Sequence, residues 1–185
     1  VCPNHANLTY EVEPAKWALP VLAFRDTELV AVASEPFEVA QRRQVLHIHD
    51  FCNECGNCAT FCVHQGKPYL EKPRIFLTEA DFQRQNDAFR VVGNTIRRRE
   101  ARCEASLPVQ DGQFIFQDGR VRIGLSAQWQ VVEWELKQPF EGNLSLRSAA
   151  EMRISVPPIG FPTLPGRCIH SEPAIMVSPL DSLPA

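Results

Sequence analysis

Cys52, Cys55, Cys58 and Cys62 stand close together in the run Cys52-Asn53-Glu54-Cys55-Gly56-Asn57-Cys58-Ala59-Thr60-Phe61-Cys62. The spacing is C-x2-C-x2-C-x3-C, a pattern by which thiolates take up [4Fe–4S] clusters. A cubane needs four thiolates. The first three can come from one tight loop, because two-residue gaps wrap the backbone around one face of the cube. The fourth cysteine of such a run ligates the neighbouring cluster in two-cluster proteins. Cys52, Cys55 and Cys58 therefore need a fourth partner from elsewhere, and Cys2, followed by Pro3, is the natural candidate. Cys-Pro is how a run of this type usually ends. Val1-Cys2-Pro3 thus reads as the remnant of a first run, and Cys62 as one ligand of a second cluster. On this reading the chain is the C-terminal piece of a longer polypeptide, with residue 1 falling inside a motif.

Two other chemistries compete for the same residues. Clustered cysteines also bind structural zinc, but usually as two separated CxxC pairs. A disulfide framework suits neither the odd total of seven cysteines nor the two-residue gaps. Gly56 fits a loop whose backbone must approach a cofactor or adopt positive φ. Cys103 and Cys168 are isolated and read as incidental thiols. His47 and His49 alternate with Leu46 and Ile48 and read as a surface pair. Arg97-Arg98-Arg99 reads as a solvated strand edge.

The elements expected to position these residues begin with a strand over 4–13, leaving Cys2. A second strand over 44–49 feeds Cys52, and a short helix is expected from Cys58 to His64. Residues 14–43 carry Pro14, Pro20 and Pro36 without a clean period and read as an insertion. Further on, Arg74 to Leu77 reads as a strand, and Thr78 with Asp81 three residues later reads as a capped helical turn. Gly93-Asn94 and Asp118-Gly119 each separate two strand-like runs, the second suiting a type I′ turn. A last strand is expected over Gln128 to Leu136. The signal then fades, and Pro157 to Pro184 marks an irregular tail.

Composition sets wide bounds. An apolar fraction of 44% suffices for a core, and a net charge of −3 gives no basic field for nucleic acid. No apolar run approaches the length that spans a bilayer. No GxGxxG and no P-loop is present, and no substrate active site is visible. Thiolate-ligated iron points to a reducing compartment, the cytoplasm.

Residues 1–7 and the stretch from Asp50 through Cys62 to Gly66-Lys67-Pro68-Tyr69 resemble the C-terminal segment of the "putative selenate reductase" iron–sulfur subunits. That family is similar to the glutamate synthase small subunit and to the amino-terminal half of dihydropyrimidine dehydrogenase. The resemblance is specific over about 45–76 and 1–7, loose beyond, and absent from the tail. Val63 departs from it, standing where proline would follow Cys62. The resemblance implies ligand roles for Cys2, Cys52, Cys55, Cys58 and Cys62, and an upstream module using FAD and NAD(P)H.

The expected fold is α+β. A bacterial 2[4Fe–4S] ferredoxin-like segment, truncated at its start, occupies 1–73 with an insertion at 14–43. A small antiparallel β module fills 74–136, and an irregular tail 137–185. The expected function is electron transfer through [4Fe–4S] clusters within a larger oxidoreductase, with a structural zinc module for protein contact as the alternative. The expected partners are the upstream flavoprotein module and a redox subunit, with neither nucleic acid nor membrane.

Overall fold

The computed structural model describes residues 2–61, 67–110 and 113–155. Within them are twelve strands and four short helices. Nine strands form one sheet. Strand β1 (Asn7–Glu11) lies at its edge, beside β4 (Arg43–Ile48), then β5 (Arg74–Ile75), β6 (Asp87–Val92), β7 (Thr95–Glu100), β8 (Cys103–Gln110), β9 (Gln113–Gln117), β10 (Val121–Leu125) and β11 (Val131–Leu136). A second sheet has the order β12 (Asn143–Ser145), β2 (Ala15–Arg25), β3 (Glu28–Val39).

The α+β, ferredoxin-like expectation is overturned. Helices α1 (Asn57–Phe61), α2 (Pro68–Glu71), α3 (Glu79–Arg84) and α4 (Arg147–Ser155) are four to nine residues long, and strands dominate. The main cause is residues 14–43. Instead of an irregular insertion they form a long hairpin, β2 against β3, in register from Ala15↔Val39 to Arg25↔Glu28 with a bulge at Val21/Leu22. Asp26 and Thr27 close it with φ of 47° and 73°, both positive as a two-residue type I′ loop requires.

The local reading of 74–136 fares better. Gly93-Asn94 joins β6 to β7, with Gly93 at φ 57°, and Thr78 Oγ1 caps α3 by accepting from Asp81 N–H at 3.1 Å. The Asp118-Gly119 turn is not type I′, because neither residue has positive φ. Asp118 Oδ1 holds it instead, accepting from the N–H groups of Arg120 and Val121 at 2.8 and 3.0 Å. The Pro-rich stretch from 156 lies outside the described residues.

The core lies between the two sheets and beneath α4. Leu19, Leu22 and Phe37 from the hairpin meet Leu107, Phe116 and Ile123 from the large sheet, closed by Ala149, Ala150 and Met152. Trp129, at φ 65° in the turn before β11, is buried at their junction against Trp17 and Phe114. Arg153 stacks over all three rings and donates to Ala127 O. Tyr10 also ties β1 to α4, donating to Ile154 O at 2.6 Å.

Candidate metal centre

Strand pairing sets the geometry around the cysteines. β1 runs antiparallel to β4 with Asn7 opposite His47, and Ile48 N–H donates to Ala6 O at 2.7 Å. Cys2 lies five residues before Asn7 and Cys52 five residues after His47. Both therefore leave the same end of the strand pair. Each stretch turns at once. His5 N–H reaches back to Cys2 O at 3.2 Å, and Cys52 N–H closes the 3-10 turn His49–Phe51 on His49 O at 2.8 Å.

The loop after Cys52 is built from short-range bonds. Asn53 Oδ1 accepts from Cys55 N–H at 3.3 Å, an Asx-type turn. Glu54 and Gly56 have φ of 52° and 77°; glycine adopts this freely, whereas Glu54 does so at some strain. Gly56 O then accepts from the N–H groups of Ala59 and Thr60, which starts α1 and carries Cys58. Two thiols accept backbone N–H bonds: Cys52 Sγ from Glu54 at 3.3 Å, and Cys2 Sγ from Ala6 at 3.4 Å.

Cys2, Cys52 and Cys58 are half-buried, whereas Cys55 is exposed. Burial pushes the Cys52 thiol up, and the neighbouring Cys2 and Cys58 thiols add to this against the Glu54 N–H bond. Strand pairing returns Cys2 to the end of the sheet from which the chain leads to Cys52. Cys62 lies outside the described residues, as does Cys168. Among the described residues the five cysteines are free, and no three Cys, His, Asp or Glu side chains form a ready-made metal site. Cys2, Cys52, Cys55 and Cys58 are of the donor type that a thiolate-bound cluster takes. Thiols gathered from two stretches repel one another as they ionise, and a cationic centre relieves that repulsion.

Two sequence expectations about neighbouring side chains need correction. His47 is fully buried rather than at the surface. β1 and β5 flank its strand, α4 packs on it, and the side chains of β4 are all buried or half-buried. Its Nδ1 lies 2.8 Å from Asn7 Oδ1, Nε2 is buried without a protein partner, and the ring meets His49 edge-on at 6.0 Å. Arg97, Arg98 and Arg99 sit on β7, which has neighbours on both sides and is no edge. Arg97 is bound by Glu79 and Glu104, Arg98 by Glu151, and Arg99 by Gln83 and the Gln85 carbonyl.

One contact near the loop escaped sequence reasoning. Asp50 Oδ2 accepts from Leu77 N–H at 3.0 Å, pinning the turn before Cys52 to the chain leaving β5. Two clefts lie elsewhere, one of about 450 Å³ beside Leu22, Leu29 and Trp129, the other of about 270 Å³ beneath α4 beside Tyr10 and Arg98. Neither is lined by a cysteine. No helix among the described residues is long and apolar enough to cross a membrane.

No family model and no solved structure matches the chain. It is 36% identical over 140 residues to "Putative oxidoreductase YgfK" of Escherichia coli K12, and 36% over 145 residues to the protein of the same name in Escherichia coli O157:H7. The matches take in 76% and 78% of this chain but 9% of each of those proteins. The chain spans about a tenth of the length of the curated relatives it matches, and it is similar to that part of a protein named as an oxidoreductase.

Proposed function

We propose that this chain is an electron-transfer part of a larger oxidoreductase and that Cys2, Cys52, Cys55 and Cys58 hold a [4Fe–4S] cluster. The observation that carries the reading is the antiparallel pairing of β1 with β4, which returns Cys2 to the end of the sheet where the Cys52–Cys58 loop begins. The sequence relationship to a protein named as an oxidoreductase supports the same class. A cluster of this kind takes up and releases one electron at a potential set by burial, charge and hydrogen bonds to sulfur.

The chain's own residues supply those settings. The N–H groups of Glu54 and Ala6 donate to Cys52 and Cys2 and favour the more negative state of the sulfurs. Asp50 anchors the loop to the chain leaving β5. Exposed Cys55 leaves one side of the site open to a partner. Cys62 is proposed, on spacing alone, as a ligand of a second cluster. The flavin and NAD(P)H chemistry belongs in this proposal to a separate module of the larger protein.

Anaerobic reconstitution with iron and sulfide tests the reading. The loaded chain should be brown, carry about four irons and give an EPR signal when reduced. Cys2→Ser and Cys52→Ser should each lose most of that iron. A colourless, EPR-silent chain that binds zinc would sink the reading, since Zn²⁺ is redox-inactive.

A further inference from the structure

The large sheet ends on β11, whose far edge pairs with no other strand among the described residues. Its pairing with β10 sorts its side chains. Trp134 stands opposite Ile123 and Leu136 opposite Val121, both fully buried, so Trp134 and Leu136 share the core side. Glu133 and Glu135 stand opposite Gly124 and Arg122 and take the outer side. Nothing seals that core side at the margin: Trp134 is 38% exposed, and Val132, at the bulge, 54%. The cleft of about 450 Å³ opens where β11 begins, walled by Trp129 and Val131 on this sheet and by Pro20, Leu22 and Leu29 on the hairpin. Sheets blunt a free edge with a short strand, a proline, lysines or a charge turned inward. The other outer strands are short, interrupted or tied down: β12 has three residues, β3 contains Pro36, and Tyr10 fastens β1 to α4. β11 is six residues long, holds neither proline nor lysine, and turns its two charges outward. Its bulge leaves 133–136 in regular register.

We infer that the free edge of β11 takes up an extended strand of a partner protein, one that alternates apolar side chains on the core side with Lys or Arg opposite Glu133 and Glu135. Main-chain hydrogen bonds set such a strand about 4.8 Å beyond β11. Its apolar side chains then lie beside Trp134, and its cations meet the two glutamates across the new pair. Both glutamates are exposed, Glu133 by 59% of its side chain even while paired with Arg122. Charge also decides between occupants. Two copies of β11 paired antiparallel, core sides together, set Glu133 against Glu135 or one of them against itself, and like charges directly opposite disfavour pairing. Residues 156–185 contain no Lys and one Arg, Arg167, so they cannot supply two such cations at alternate positions. No cysteine takes part, and the interface stands or falls independently of the electron-transfer reading.

The probes are two end-capped peptides, one alternating lysine with valine and one alternating glutamate with valine, added to the isotope-labelled full chain and followed by NMR. The lysine peptide should shift the Trp134 indole resonance and slow exchange about tenfold or more at the β11 amides that do not bond to β10. The glutamate peptide should do neither. Glu135→Lys, at an exposed side chain, should weaken binding of the lysine peptide about fivefold and strengthen that of the glutamate peptide. Trp134→Lys, which turns a charge inward, should abolish binding. An equal response to both peptides, a response to neither, or affinities that Glu135→Lys leaves unchanged would overturn the inference. So would a dimer in sedimentation that Trp134→Lys dissolves, which assigns the edge to a second copy. Slow exchange at those amides in the monomeric chain before any peptide is added assigns the edge to the chain's own residues and overturns it as well.

Discussion

His47 carries a pH cost that follows from where its ring sits. Asn7 Oδ1 can only accept, so the ring proton stays on Nδ1 and the buried Nε2 has no protein partner. Burial lowers its pKa from 6.5 to about 4, with His49 and Arg74 adding to the effect. Between these values the unfolded chain binds a proton that the folded chain refuses. Stability should therefore fall as the pH drops from 6.5 to 4, by on the order of 3 kcal/mol. Urea unfolding of the unaltered chain and His47→Leu across that window should show the slope in the first and its loss in the second. The period-two pattern of 44–49 was legible in the sequence. The burial was not, because alternation gives a face no label until the neighbouring elements are known.

At the scale of elements, one carboxylate is a principal tie between α3 and the large sheet, beside the Arg99 bonds to Gln83 and the Gln85 carbonyl. Glu79 accepts from Arg97 on β7, from Arg90 on β6 and from Gln83 in its own helix. Arg97 above all, then Gln83, draws its pKa down from 4.5 to about 2. The resulting stability is present above pH 4.5 and lost as the pH falls toward 2. Glu79→Gln should thus be less stable at pH 7, and the gap should close in acid, as read by thermal melts. Gly124 serves the β10–β11 pair differently. A Cβ there would stand 2.5 Å from Glu133 Cγ and 3.2 Å from Val132 Cγ2, beside the bulge between Gly124 and Leu125. Gly124→Ala should cost about 1–3 kcal/mol, measured by denaturant unfolding. The β6–β7 hairpin was readable because Gly93 supplies its positive φ, and the α3 cap because Thr78 and Asp81 have capping spacing. The β2–β3 hairpin was not, because Asp26-Thr27 is no standard turn pair and Pro20 and Pro36 suggested a break. Each proline sits instead within the paired strands of a three-stranded sheet.

Across the whole molecule, one ring joins the hairpin, the large sheet and the last helix. Trp129 packs 5.3 Å from Trp17 and 6.1 Å from Phe114, with the Arg153 guanidinium at 5.4 Å. Trp129→Ala should cost about 3–5 kcal/mol, seen as a lower denaturation midpoint. Mutual docking of sheets is a long-range property, which explains why local patterns located the β6–β7 and β9–β10 hairpins yet assigned the fold to the wrong class. The proposed thiol set rests on spacing for three of its members, which share one loop. The fourth, Cys2, is some fifty residues away in the chain and is carried by β1, the outermost strand of its sheet. Outer strands open most readily in local fluctuations. The empty chain should then exchange the amide hydrogens of residues 7–11 quickly, and iron loading should slow them selectively, because a ligand bridging both stretches seals the fraying margin.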